Sequence, residues 1–323
     1  MAPRTRAMRR QQINGDESES DIPLQGSQTS LTRSQKQNVH ETISIKQIPA
    51  WMFDNAYILS GYRQEMGNYR DCFYSLLYVH NETGNIFSHL IGSLLHLGWL
   101  IYMLTSSANL VKSTVFITGD VVSGDAELIS TITWKDFAVV SAFMVSAIAC
   151  MGLSAAFHTF HCHSFKVSKA WNKLDFAGIA GLIAGSNIPF IYYGFYCEIK
   201  FQTLYIALMT TFGIVTTLIT FVCWNGVSSV VPIIHLLIEH GYDYVNMAMG
   251  LNHGIFGGAC YLIGAFLYAS RFPERLFPGK CDHWFQSHQI FHMLVLTATI
   301  AHFRGICLSV MHRHVDNLAA CPT

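Results

Sequence analysis

The stretch HQIFHMLVLTATIAHFRGICLSVM, residues 288–311, opens with two histidines four residues apart and continues as an apolar run. Residues four apart share one face of a helix, as they do in helical zinc sites. About 20 apolar residues suffice to cross a bilayer, and metal-competent side chains within such a run mark a functional site. The stretch therefore predicts a membrane protein with a metal centre on its last helix.

Comparable apolar runs occur along most of the chain. Only 12% of the 323 residues are charged and 51% are hydrophobic, whereas soluble domains carry roughly 25% charged residues. The sequence therefore predicts an all-α membrane protein with seven transmembrane helices. In the weakest stretch, 203–240, we expect a short or tilted fifth helix broken near Pro232. The predicted spans are 85–104, 137–158, 175–195, 203–223, 226–240, 247–270 and 288–311.

The flanking segments differ in composition from the membrane domain, which we assign to residues 84–312. Residues 1–46 are polar and almost free of aromatic side chains, and predict a disordered cytosolic tail. Residues 47–83 mix aromatic and charged side chains. They predict an interfacial, juxtamembrane helical region, or alternatively an ordered soluble cap. Residues 313–323 form a short C-terminal tail, and no cleavable signal peptide is expected.

The distribution of basic residues predicts the orientation in the membrane. Nine Lys and Arg residues precede the first span, and the second-to-third and sixth-to-seventh loops carry three each. The opposite side carries four. The N-terminus is therefore expected in the cytosol and the C-terminus on the extracellular or lumenal side. Acidic and basic residues balance at 20 each, so nucleic acid is not an expected partner, and the nine cysteines show no CxxC pair. No disulfide framework is expected.

This orientation brings polar residues of three predicted helices to one depth, near the cytosolic face. His158 ends the second span, Asp175 opens the third, and His288 and His292 begin the seventh. Three histidines with one open position are typical of a catalytic zinc site, where zinc acidifies a bound water and polarises a carbonyl group. Asp175 can accept a proton there, and Ser154, one turn before His158, can bind a substrate carbonyl or a water. The alternative is a polar network between helices without a metal.

Several other features have simpler interpretations. His158, His161 and His163 with Cys162 resemble a local metal cluster, but we expect His161 and His163 in a loop, with a second metal as the lesser alternative. The small-residue run AGIAGLIAGS, 177–186, predicts close helix packing, with room for a lipid chain as the alternative. The histidines expected to form ordinary hydrogen bonds between helices are His89, His96, His235, His253 and His302.

Four motifs in a fixed order resemble one known family. Over residues 47–312 the chain resembles the adiponectin-receptor branch of the progestin and adipoQ receptor family, which is haemolysin III-related, and its polar tail resembles that of a fungal member. The motifs are HNETGNIFSHLIG (80–92), SAAFHTFHCHS (154–164), KLDFAGIAGLIAGS (173–186) and RFPERLFPGKCDHWFQSHQIFH (271–292).

The resemblance implies a seven-helix fold with a cytosolic N-terminus. It also implies zinc held by His158, His288 and His292, with Asp175 and Ser154 beside the zinc-bound water. One segment departs from the family pattern. CWNGVSSVVPIIH, 223–235, replaces a charged loop and a full-length helix, which affects the expected border of the lipid cavity.

Three functions remain open on the sequence. The leading one is a zinc-dependent hydrolase of a membrane lipid amide such as ceramide, in which Asp175 handles the proton. The second is a signalling receptor with structural zinc, which would bind an extracellular protein or peptide through the loop 105–135. The third is a zinc or proton transporter, with His302 on its path. The plasma membrane and the endoplasmic reticulum are both expected locations, and lipid chain length and oligomeric state stay open.

Overall fold

The described part of the chain is built of α-helices. The computed structural model describes residues 41–119, 130–219 and 229–315, and within these ranges it contains no β-strand, which confirms the all-α prediction. The predicted tails, 1–46 and 313–323, lie largely outside the described residues. The helices are α1 Tyr69–Tyr74, α2 Thr83–Leu104, α3 Ser107–Thr118, α4 Trp134–Phe160, α5 Phe165–Gly194, α6 Ile199–Ile219, α7 Val230–Met249, α8 Leu251–Ser270 and α9 Ser287–Val315.

Six helices in the described part of the chain are long and apolar enough to cross a membrane: α2, α4, α5, α6, α8 and α9. Each corresponds to a predicted span. Their outer faces expose large apolar side chains, such as Leu95 on α2 and Leu262 on α8, which are 60% and 73% exposed. A continuous apolar surface of this kind is stable against lipid and not against water. The chain is therefore a multi-pass integral membrane protein.

The fifth predicted span, 226–240, is occupied by the first half of α7, which is not among these six. Gly241 has φ 76° and ψ 170°, so the regular helix covers only the residues before it. Eleven helical residues rise about 16 Å, roughly half of a hydrocarbon core. Pro232 lies in the first turn, where no intrahelical partner is lost, so the break is at Gly241 rather than near Pro232. Residues 220–228 lie outside the described residues.

A helix that the search for spans missed lies within the loop 105–135. Helix α3 begins after Ser106, whose side chain accepts a hydrogen bond from the backbone N–H of Asn109, and ends at Gly119 with φ 78°. It packs on α2 and α9 through Leu110 and Val111, both 2% exposed. Its 12 residues are too few to cross a bilayer. Apolar runs of bilayer length, from which the spans were predicted, therefore do not reveal it. Residues 120–129 of this loop lie outside the described residues.

Helices α4 and α5 pack closely because small residues line their contact. A Cβ atom on Gly178 would lie 2.9 Å from the Cα atom of Cys150, and one on Gly185 would lie 2.3 Å from Oγ of Ser146. These distances confirm close packing as the role of residues 177–186. They also set the depth at which α5 presents Asp175 to α4.

Residues 41–82 form a layer over one end of the helices, built of short helical turns and irregular chain. Glu274, fully buried, ties this layer to α9. Its carboxylate accepts hydrogen bonds from Asn55 Nδ2 at 3.0 Å and from the backbone N–H of Ser287 at 2.8 Å. A carboxylate on the first N–H groups of a helix satisfies donors that have no intrahelical partner. The layer therefore fixes the beginning of α9, where His288 lies.

Candidate metal centre and lipid cavity

His158, His288 and His292 meet at the end of the bundle under this layer. The three ring centroids form a nearly equilateral triangle, with separations of 4.8, 4.9 and 4.8 Å. One ligand atom from each histidine lies within 4.8 Å of the others. His158 comes from the last turn of α4, and the other two come from the first two turns of α9. The structure thus brings together all three residues that the sequence proposed as metal ligands.

Hydrogen bonds orient two of the three rings. Nδ1 of His158 donates to a carboxylate oxygen of Glu82 at 2.8 Å, and Nδ1 of His292 donates to the backbone carbonyl of Asn85 at 3.1 Å. Such partners fix the tautomer of a metal-binding histidine and leave Nε2 as the ligand atom. Nε2 of His158 is buried and has no hydrogen-bond partner in the structure. The residues present therefore fit a zinc ion with three histidine ligands and one open position.

Asp175 and Ser154 lie next to this cluster, although Asp175 does not open its helix. Helix α5 begins at Phe165, ten residues earlier, so Asp175 lies about 15 Å inside it. The first turns of α5 are polar because they carry Lys166, Lys169 and Lys173. The start of the third span predicted from hydropathy, residue 175, therefore lies ten residues after the true beginning of the helix. The carboxylate of Asp175 lies within hydrogen-bonding reach of the hydroxyl of Ser154 on α4, and both line the same cavity as His158. The second and third predicted spans thus meet as expected. Asp175 lies at the level of Ser154, one helical turn from His158, rather than at the level of His158 itself.

A cavity of about 450 Å³ contains the cluster. The three histidines, Asp175 and Ser154 line its polar part. Apolar side chains of α5 and α9 line another part, among them Ile179, Phe291 and Val295. A few polar groups within an apolar cavity are typical of a site that binds an amphipathic small molecule.

The sequence did not indicate the role of Glu82. This residue precedes α2 and also accepts a hydrogen bond from Asn85 Nδ2 at 2.7 Å. Burial disfavours its charge, but the contact with His158 outweighs burial and holds the pKa of the Glu82 carboxyl well below its usual range. The available signal was an acidic residue directly before the first apolar run, at the end of that run that lies beside the histidines.

Arg63 was also missed. Its side chain is 2% exposed and its guanidinium donates to the backbone carbonyls of His158, at 2.5 Å, and Thr159, at 2.9 Å. These are orphan carbonyls at the C-terminus of α4, where a cation is favourable. Arg63 therefore holds the helix end that carries His158. Nothing in the sequence distinguished it from the exposed basic residues around it.

The other histidines divide into two groups. His235 forms a hydrogen bond between helices as expected, with Nδ1 2.8 Å from the hydroxyl of Tyr205 on α6, whereas Nδ1 of His96 donates to the carbonyl of Gly92 on its own helix at 2.8 Å. The prediction was wrong for His89 and His302: among the described residues, neither ring nitrogen of these buried side chains has a hydrogen-bond partner, and Nδ1 of His253 has none either. His163 packs against Tyr69 with ring centroids 4.5 Å apart.

The opposite end of α5 carries a different set of polar groups. Glu198, Glu239 and His240 place their ligand atoms within 4.8 Å of one another on a partly exposed surface. Cys197, next to them, is disulfide-bonded. At the end of the bundle that holds the histidine cluster, in contrast, Cys72 and Cys162 are free thiols with their sulfur atoms 3.7 Å apart.

These features define a class: a multi-pass helical membrane protein with a buried three-histidine cluster at one end of its bundle. Residues 77–303 match the family model described as Haemolysin-III related. The chain belongs to this family, and its resemblance to adiponectin receptors and progestin and adipoQ receptor-like proteins is confirmed by its relatives.

Three relatives show how far the similarity extends. The Drosophila melanogaster "Adiponectin receptor protein" is 35% identical over 83% of this chain and 59% of its own length. The Caenorhabditis elegans "Progestin and adipoQ receptor-like protein 1" is 35% identical over 90% of this chain and 66% of its own length. The Saccharomyces cerevisiae "ADIPOR-like receptor IZH2" is 35% identical over 87% of this chain and 89% of its own length. The chain thus spans about two thirds or less of the two animal proteins and most of the yeast one.

Proposed function

We propose that the chain is a zinc-dependent hydrolase of membrane lipid amides of the ceramide type, with its site at the cytosolic end of the bundle. The observation that carries this proposal is the triangle of His158, His288 and His292 inside a cavity that also holds Asp175 and Ser154. Three histidines leave one position of a tetrahedral zinc site open, as catalytic sites require. A bound zinc ion would acidify water and polarise the amide carbonyl.

The residues of the chain supply the remaining chemistry. Asp175 accepts a proton from the attacking water while the water oxygen bonds to the amide carbon. The C–N bond then breaks, and Asp175 returns the proton to the leaving nitrogen. The products are a fatty acid and an amine, so atoms balance with one water consumed. Ser154 donates a hydrogen bond to the carbonyl oxygen, where negative charge develops.

The apolar part of the cavity suits the chains of a lipid substrate. Phe291 and Val295 lie on the same helix as two histidines, and Ile179 lies one turn beyond Asp175. A lipid that enters between α5 and α9 can therefore keep its chains against apolar side chains while its amide reaches the histidines. This arrangement favours an amphipathic substrate over a soluble one.

The orientation and the seventh crossing also belong to this proposal. Helix α6 returns antiparallel to α5, since Tyr205 and Gln202 contact residues near the end of α5. Helix α6 therefore ends on the side of the histidines. Helix α8 also ends there and so begins on the opposite side, which requires one more crossing between α6 and α8. Helix α7 makes part of this crossing. Free thiols at the histidine end and disulfide-bonded Cys197 at the other agree with a cytosolic site. The plasma membrane and the endoplasmic reticulum both satisfy this topology.

A signalling receptor is the second candidate, favoured by the names of the relatives. Two of them are called adiponectin or progestin and adipoQ receptors. In such a role zinc would be structural, and an extracellular protein or peptide would bind at the end opposite the histidines, where α3 lies. A ligand that gates hydrolysis would unite both roles.

The test is fatty-acid release from ceramide by the purified full-length chain in mild detergent. Asp175→Asn keeps the shape of the side chain and removes its ability to accept a proton. We expect this variant to retain zinc and to lose activity by a factor of about 100 to 10,000. Asp243→Asn is the matched control, because Asp243 is exposed on α7 and the same charge change there should leave activity unaltered.

Each outcome separates the two candidates. Loss of release in Asp175→Asn with zinc retained supports the hydrolase. Full activity in that variant contradicts the role of Asp175. A wild-type protein that holds zinc and releases no fatty acid from lipid amides of several chain lengths supports the receptor.

A further inference from the structure

His89 is a buried side chain in the cavity whose ring nitrogens have no hydrogen-bond partner among the residues that the structure describes. It lies on α2, is 3% exposed, and lines the same cavity as Ser154 and Asp175. The backbone carbonyl of His292 is near its ring, yet neither ring nitrogen makes a hydrogen bond of ordinary geometry. Buried polar groups in folded proteins almost always have a hydrogen-bond partner, because an unpaired one has lost its hydrogen bonds to water without replacing them.

The position of the ring is fixed. The imidazole of His89 stacks on that of His292, with centroids 3.6 Å apart and planes inclined by 1°. His292 is itself held by the carbonyl of Asn85. His89 therefore cannot turn away to water without breaking this stack, and its partner must come to it inside the cavity.

We propose that His89 hydrogen-bonds a hydroxyl group of the lipid, close to the amide that is cleaved, and so selects hydroxylated lipid amides. This inference rests on the proposed function. A neutral imidazole carries a donor on one ring nitrogen and an acceptor on the other, and a hydroxyl group can pair with either of them, since it both donates and accepts. An ether can only accept a hydrogen bond, and a plain alkyl group can neither donate nor accept one. Because the ring lies directly against a metal-ligand histidine, the group it binds must be near the reacting carbonyl.

The test compares two substrates and two variants. His89→Phe keeps an aromatic ring for stacking and removes both nitrogens, whereas His89→Gln keeps one donor and one acceptor. The substrates are a lipid amide with a hydroxyl group near the amide and its deoxy analogue. The measured quantity is the ratio of their kcat/KM values, with zinc content determined for every protein.

We expect the wild type to favour the hydroxylated amide, since a site that binds a hydroxyl rejects an analogue without it. His89→Phe should lower the ratio at least tenfold, through the hydroxylated substrate alone and with zinc retained. His89→Gln should restore part of the preference. His302→Phe is the control, because His302 is also buried with both nitrogens unpaired but does not line the cavity, and its ratio should stay at the wild-type value.

Two results would overturn the inference. One is an unchanged ratio in His89→Phe and His89→Gln, which would mean that His89 binds only water or serves packing. The other is an equal loss of both substrates. If the wild type cleaves neither lipid, the hydrolase proposal fails, and the inference is tested by thermal stabilisation with the same two lipids. Stronger stabilisation by the hydroxylated one, lost in His89→Phe, supports it, and equal stabilisation overturns it.

If His89→Phe does not fold or hold zinc, the comparison uses His89→Gln and His89→Asn. These place the amide at the positions of Nε2 and Nδ1 respectively. Retention of the preference in one of them identifies the nitrogen that binds the hydroxyl. If His89→Gln and His89→Asn both show the wild-type ratio of kcat/KM values, the inference is contradicted.

Discussion

Removing the charge of Glu82 should weaken zinc binding without touching a ligand. The carboxylate of Glu82 accepts the Nδ1 proton of His158 at 2.8 Å and is held in turn by Asn85 Nδ2 at 2.7 Å. Both bonds end on the same oxygen, Oε2. A carboxylate in this position makes the imidazole a stronger donor to metal and fixes its tautomer.

The size of the effect follows from this geometry. Glu82→Gln keeps an oxygen that can accept both hydrogen bonds and loses only the charge, so we expect about tenfold weaker zinc binding, or about 1.4 kcal/mol. Glu82→Leu also leaves Nδ1 of His158 buried without an acceptor, because His158 is 2% exposed. For this variant we expect about 100-fold weaker binding, or about 2.7 kcal/mol.

The assay is competition for zinc with a chelator of known affinity, on full-length protein in detergent. The control is Asp54→Asn. Asp54 also lines the cavity but pairs with Arg271 and is 57% exposed in its side chain, and exposed pairs contribute little. Equal zinc affinity in wild type and both Glu82 variants would refute the argument. An equally large effect of Asp54→Asn would show that overall charge, rather than the contact with His158, sets the affinity.

Two further predictions concern stability, measured by thermal unfolding in detergent. Gly178→Ala should destabilise the protein by about 1–3 kcal/mol, because the new Cβ would meet backbone of Cys150 at 2.9 Å, whereas Gly181→Ala, with no atom within 4 Å, should be neutral or slightly stabilising. Equal effects would contradict the packing argument. Burial first, and the charge of Arg63 second, lower the pKa of His80 from 6.5 to about 3. Below pH 6.5 only the unfolded chain protonates this residue, so the wild type should lose about 1 kcal/mol more than His80→Gln between pH 7.5 and 5.5; parallel losses would contradict this.

The convergence of the three histidines was accessible from sequence because it depends on helix order and charge. Helix α9 begins at the end of the bundle where α4 ends, so His288 and His292 in its first two turns come near His158. The order of the helices and the positions of the basic residues thus predicted a cluster whose ring centroids lie within 4.9 Å of one another.

The depth of Asp175 and the partners of the ligands were not accessible. Hydropathy detects where apolar residues begin, but α5 begins ten residues before that point, in a segment that carries lysines. Glu82 and Arg63 reach His158 across 76 and 95 positions of the chain. Irregular segments with long-range contacts of this kind carry no periodic signal. His89 was misjudged for a similar reason, because a pattern of apolar neighbours does not reveal whether a buried nitrogen has a partner.

The positions of the three histidines in the chain also determine when the cluster can exist during synthesis. His288 is the 130th residue made after His158, and at ordinary elongation rates of 5–20 residues per second this interval takes roughly 7 to 26 s. Throughout that interval a nascent chain offers a metal one histidine of the three. The cluster is complete only when the last helix has entered the membrane. Zinc loading would therefore report that the whole bundle has been inserted, and a prematurely terminated chain would not acquire the ion.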